Sequence, residues 1–184
     1  MAESTYIPAT PEGNSPQNLS PDALIDYIVK QHHARTKALL PQLATYMQKI
    51  AEEHGEDYPA LYDIDMLLTE VIGELSEHML HEEQVLFSSI HGLSDVQFVQ
   101  RDSTEAYLVA TNISRMEDEH RHVHALMQQI RTLANGYTPP LTAGNAWRLV
   151  FSELNAFERD LNEHLHLEND LLFPAARAME EALL

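Results

Sequence analysis

His78-Met79-Leu80-His81-Glu82-Glu83-Gln84-Val85-Leu86-Phe87 and His164-Leu165-His166-Leu167-Glu168-Asn169-Asp170-Leu171-Leu172-Phe173 are two versions of one phrase. Each places a glutamate four residues after a histidine and a Leu-Phe pair just beyond, and the two copies are 86 positions apart. On an α-helix at about 100° per residue, four steps return to within about 40° of the starting direction. His78 and Glu82 therefore share a helix face, as do His164 and Glu168.

Working outward in steps of four and three, His78 continues a stripe of Ile64, Leu68, Val71 and Leu75 that runs on through Glu82 to Val85. His164 continues Val150, Leu154, Phe157 and Leu161, and runs on through Glu168 to Leu171. Two more stripes have the same period: Val29, His33, Thr36, Leu40, Leu43, Met47, Ile50, and Val109, Ile113, Met116, His120, Val123, Met127, Ile130. His33 and His120 are 87 positions apart, so the chain reads as a duplicated helix pair. No segment alternates with a strand period. Four amphipathic helices with short connections predict an all-α, up-down four-helix bundle over residues 21–184.

Punctuation fits that count. Residues 1–20, with Pro8, Pro11 and Pro16 beside Gly13, Asn14 and Ser15, are expected to form a flexible tail. Ser20-Pro21-Asp22 supplies a cap, a first-turn proline and a first-turn acid for the first helix. That helix is expected to reach His54-Gly55 with a kink at Pro41. The second follows Pro59 and stops near Ser89–Gly92. Ser94 and Gln97 offer a capping box, and a long helix carries on to about Leu133. The last is expected from about Thr142, with Pro174 bending or ending it.

Composition narrows the function. The 184 residues suit one domain, and 11 Lys and Arg against 29 Asp and Glu give a net charge of −18, which repels nucleic acid and anionic membrane surfaces. Zero cysteines exclude thiolate metal sites and cysteine nucleophiles. Without a basic-then-apolar start or a long apolar run, the expectation is a cytoplasmic protein. The 11 histidines, as many as all Lys and Arg together, are the unusual count.

Six ionisable residues interrupt otherwise apolar stripes: His33, His78, Glu82, His120, His164 and Glu168. Unpaired in a core, such groups cost several kcal/mol each by rough estimate, against about 5–15 kcal/mol of net domain stability. Four imidazoles and two carboxylates around one point suit two first-row transition ions bridged by the carboxylates, with coordination positions left free. A metal-free polar network is the plainer alternative, weakened because six such residues coincide at matching depth. Thr36 and Val123 should wall the site. His122 and His166 fall about 200° from ligand positions and should face solvent. His81 and His124 lie one turn from the site, where outer partners of ligands are found. His32 and His91 read as surface residues, and His54, at the end of the first helix, is left unassigned between capping that end and lying near a second entrance. Glu52-Glu53 and Glu117-Asp118-Glu119 read as solvated faces.

The order His33, His78-xxx-Glu82, His120, His164-xxx-Glu168 resembles the hemerythrin-like superfamily. The phrases Glu77–Glu83 with Leu86-Phe87, Glu119-His120, and Asp160–Asn169 with Leu172-Phe173-Pro174 resemble more narrowly the RIC di-iron proteins, named for repair of iron centres. The resemblance covers about Asp22 to the end. It implies that the six residues bind two iron ions as a carboxylate-bridged centre, with an oxo- or hydroxo-bridged ferric pair. It further implies repair of iron–sulfur clusters damaged by nitric oxide or oxidative stress, with damaged iron–sulfur proteins or a cluster-assembly scaffold as partners and NO or O2 as small ligands. His54 matches a family histidine and is expected near the site. Longer members carry an N-terminal cysteine-bearing domain, where this chain has its proline-rich segment, and the stretch around Ser94–Thr104 looks longer than usual. Oxygen-carrying hemerythrins typically use five histidines and a closing His-xxxx-Asp, unlike His164-xxx-Glu168. A reversible O2- or NO-binding or sensing module remains the alternative function, and metal content of the purified protein separates both from a metal-free bundle.

Overall fold

The computed structural model describes residues 15–93 and 103–183, with side chains of the third helix described from Val109 onward. Four helices account for it. Helix α1 (residues 21–54) comprises Pro21–Ile28, a widened π turn at Val29–His33, and Ala34–His54. Helix α2 (residues 60–93) comprises Ala60–His81, a π turn at Glu82–Leu86, and Phe87–Leu93. Helix α3 is Ser103–Leu133, and α4 (residues 145–181) comprises Asn145–His166, a π turn at Leu167–Leu172, and Phe173–Glu181. Each helix packs on its sequence neighbours, and α4 closes the ring against α1. That is the up-down bundle.

Local chemistry sets the ends. Ser20 Oγ accepts from the Ala23 N–H at 3.4 Å, and Pro21 occupies the first turn, where its missing N–H costs nothing. After α3 the chain reverses through three successive residues in the left-handed region, Asn135, Gly136 and Tyr137 at φ of 48°, 63° and 61°. The Gly136 N–H returns to the Arg131 carbonyl at 2.8 Å and closes the helix end. Helix α4 begins at Asn145 rather than Thr142, after Gly144 in extended conformation. Pro41 sits on the exposed side of α1, which runs on through it. Pro174 does not end α4: it lies in the first turn after a π turn, and the helix continues to Glu181. Of the expected tail, residues 1–14 lie outside the described residues. Pro16–Asn18 form a 3-10 turn, and Leu19 packs against the core. The Ser94/Gln97 cap and the segment to Asp102 also lie outside them.

The stripes hold with one systematic correction. All seven expected positions on α3, a helix without a π turn, are buried. On the other three helices the stripe slips by one residue where the π turn falls. Ile28 is buried in place of Val29, Leu86 in place of Val85, and Leu172 in place of Leu171; Val85 is 40% exposed where Leu86 is fully enclosed. A π turn carries one extra residue, so the step from Glu82 or Glu168 to the next core position is four rather than three. The six polar stripe residues form a layer between two apolar clusters. One is built around Leu68, Leu75, Met127 and Leu154, the other around Ile28, Leu86, Ile113 and Leu172. Among the described residues, no helix is long and apolar enough to cross a membrane.

Candidate metal centre

His33, His78, Glu82, His120, His164 and Glu168 are all at most 4% exposed and converge from four helices on one point. Their donor atoms fall into two groups. His33, Glu82, His164 and Glu168 form one; His78, Glu82, His120 and Glu168 form the other, with donor atoms in each within 4.8 Å of one another. Both glutamates belong to both groups. Glu168 turns Oε1 to His164 Nε2 at 2.9 Å and Oε2 to His120 Nε2 at 3.2 Å, so one carboxylate faces the two positions with different oxygens. Glu82 Oε2 stands 3.3 Å from both His33 Nε2 and His78 Nε2.

The donor set fits metal ions better than a closed hydrogen-bond network. Nε2 of His33 approaches Nε2 of His164 at 3.1 Å, and Nε2 of His78 approaches that of His120 at 3.0 Å. Meanwhile Nδ1 of His33 donates to Glu83 Oε1 at 2.7 Å, Nδ1 of His78 to Glu119 Oε2 at 2.9 Å, and Nδ1 of His120 to Asn169 Oδ1 at 2.9 Å. With the proton held on Nδ1, each Nε2 turns a lone pair inward. Both oxygens of Glu82 and Oε2 of Glu168 are buried without a hydrogen-bond partner among the described residues. Buried acceptors facing one another in this way are costly unless a cation or protons stand between them.

Without metal, protons fill that role. Burial pushes the His33 imidazole down, but the adjacent Glu168 and Glu82 carboxylates raise it to about 10. Burial likewise opposes, and Glu82 and Glu119 overcome, a rise to about 10 at His78. Burial pushes both glutamates up, and at Glu82 the neighbouring Glu168 charge adds to it, yet the histidines around them hold Glu82 below its usual range and Glu168 well below it. His164, fully enclosed, is lowered by burial. Hydrogen bonding from His78 takes Glu119 down to about 2, with Arg115 adding to it.

The outer partners were not legible as such. Glu119 read as a solvated acid, and Glu83 and Asn169 carried no assignment, yet each holds a stripe histidine. The signal available was their repeat position: Glu83 and Asn169 are 86 apart and do the same work. The repeat also places rings, with Phe87 stacked on His33 at 5.9 Å between centroids and Phe173 on His120 at 5.7 Å. Thr36 and Val123 are buried as expected. His81 binds Asn112 Oδ1 at 3.0 Å, and His124 is exposed on a groove of about 280 Å³ that reaches His120 and Asn169; neither holds a stripe histidine.

Among the remaining histidines, His122 and His166 are exposed and face Glu70 and Asp170, and His91 pairs with Asp22 on the surface. His32 is a correction: it is 4% exposed, because it lies inside the first π turn, which rotates it inward against His164. His54 is another. It stacks on Trp147 at 5.4 Å, 21 residues or about 30 Å along the helix from His33, and so lies at the other end of the bundle.

A ring of four antiparallel helices enclosing four histidines and two shared glutamates defines a helical cation-binding bundle. The chain belongs to the hemerythrin HHE cation-binding domain family, whose profile matches residues 24–176. It is 35% identical over 153 residues to the iron-sulfur cluster repair protein YtfE of Musicola paradisiaca. It is 37% identical to the protein of that name from Pectobacterium atrosepticum and 35% identical to that from Yersinia pseudotuberculosis, again over 153 residues. Each alignment covers 83% of this chain and 64% of the relative, so the match spans about two thirds of those longer proteins.

Proposed function

We propose that the six buried residues hold two iron ions and that the protein takes part in repairing iron–sulfur clusters damaged by nitric oxide or oxidative stress, in the cytoplasm. The observation that carries the reading is the sharing of both glutamates between two histidine pairs, in a chain similar to proteins named for iron-sulfur cluster repair. His33 and His164 would hold one ion and His78 and His120 the other, with Glu82 and Glu168 shared between the two. Iron in such a site supplies exchangeable coordination positions for NO or O2 and a reservoir of releasable Fe(II). The chain's residues do the rest. Glu83, Glu119 and Asn169 fix the tautomer and aim of three imidazoles, and Phe87 and Phe173 wall two of them. Damaged iron–sulfur proteins, or a scaffold on which clusters are built, are the partners this reading requires.

The test has two parts. Protein produced in iron-replete cells should carry about two irons per chain, where one iron or zinc alone counts against the assignment. The loaded protein should then restore activity to a purified iron–sulfur enzyme inactivated by NO, with the metal-free protein as control. No difference between loaded and metal-free protein would overturn the repair function while leaving the metal assignment standing.

A further inference from the structure

The duplication pairs every outer partner with a counterpart in the other half, and one pair is mismatched. Glu83 on His33 corresponds to Asn169 on His120; both accept from Nδ1. Glu119, which accepts from Nδ1 of His78, has His32 as its counterpart at the 87-residue offset, and His32 accepts nothing from His164. It lies flat on it instead, with centroids 5.5 Å apart and 11° between ring planes. Both ring nitrogens of His32 are buried without a hydrogen-bond partner among the described residues, and its nearest carboxylate is Asp160 at 3.5 Å. Among the described residues, the hydrogen bonds of His164, to His33 and Glu168, both run through Nε2.

We infer that the two metal positions are unequal, that iron bound by His33 and His164 leaves first, and that His32 is the positioning residue responsible. This rests on the di-iron reading above. A ligand imidazole whose Nδ1–H is held by an acceptor is fixed in tautomer and orientation and is a stronger donor; losing such an acceptor typically lowers metal affinity about 10–100-fold. Among the described residues, a side-chain acceptor stands on Nδ1 of His33, His78 and His120 and none on that of His164. His164 has a parallel ring where its counterpart has a carboxylate. The position containing His164 is therefore held by one braced imidazole, the other by two.

The experiment follows release of Fe(II) from the reduced, fully loaded protein to the chromogenic chelator ferrozine, alongside total iron and far-ultraviolet circular dichroism. Wild type should release iron in two phases of equal amplitude. His32→Gln supplies an uncharged acceptor beside His164 and should slow the fast phase about tenfold or more while leaving the slow phase in place. Asn169→Ala removes the acceptor from His120 and should accelerate the slow phase toward the fast one. A single phase from wild type loaded with two irons overturns the inference, as does a fast phase indifferent to His32→Gln in a folded protein. Should His32→Gln not fold, an unchanged slow phase in Asn169→Ala overturns it. A wild type that never binds two irons instead overturns the di-iron reading on which it stands.

Discussion

Glu83 and Asn169, 86 residues apart, perform one task with different charge, each accepting a hydrogen bond from the Nδ1 of a stripe histidine across a helix boundary. Lys37 also donates to Glu83, at 2.6 Å, and fixes the carboxylate that braces His33. Glu83→Ala should weaken metal binding about 10–100-fold with helical content unchanged. Titration of the metal-free variant with Fe(II) under anaerobic conditions measures this, and wild-type affinity would remove Glu83 from the site.

Replacing the bridges should have a different effect from replacing one histidine. Glu82→Gln and Glu168→Gln keep volume but remove the charge that offsets two cations, so each should lower occupancy of both positions, and the double variant should lose the pair. His33→Ala should cost mainly one iron. Iron counts with circular dichroism decide, and full loading of the double variant with wild-type coupling between the irons would exclude these glutamates as bridges.

Metal uptake should expel protons. In the metal-free protein His33 and His78 are raised to about 10 and so carry protons at pH 7, and each must lose one to present Nε2 to a metal. Metal affinity should rise with pH, about tenfold per unit for each proton displaced, until the imidazoles deprotonate near pH 10. The stability of the metal-free fold should run the other way. Because the folded values lie above the ordinary 6.5, that stabilisation is complete below about pH 6.5 and fades as pH rises through about 10. Proton release in weakly buffered solution and chemical unfolding across pH check both directions; uptake without proton release would refute the first.

The π turns serve the site rather than the core. Deleting the exposed Gln84 turns Glu82–Leu86 back into an ordinary helical turn while leaving Leu86, Phe87 and Ile90 on the core side. Its melting temperature should stay within about 5 °C of wild type while iron content falls, because Glu82 and Glu83 lose their aim. Deleting exposed Ala125 from α3, which has no π turn, should rotate Leu126, Met127 and Ile130 out of the core at a cost on the order of 4 kcal/mol, or about 10 °C. Equal thermal losses in the two deletions would show that the π turn is a packing feature.

His122 and His166 provide the negative control. Both are exposed, on acids of their own, and alanine at either position should leave iron content unchanged. Substantial iron loss in either would mean that its helix is rotated relative to the structure.

The sequence by itself determined the helices, their pairing by duplication, and the six polar residues of the central layer. Those features are periodic, and a period is a local property of a chain: apolar steps of three and four, broken at matching depths, are visible without knowing what faces what. It did not determine which histidines face each other beside the shared glutamates, that Glu83, Glu119 and Asn169 brace them, or that His32 is buried and His54 remote. These depend on contacts between helices far apart in sequence, which no period encodes. The π turns belong with them. Their residues look like ordinary helix formers, and the extra residue in each of the last two turns follows only from the tertiary need to aim Glu82 and Glu168 into the polar layer while Leu86 and Leu172 still face the core beyond it.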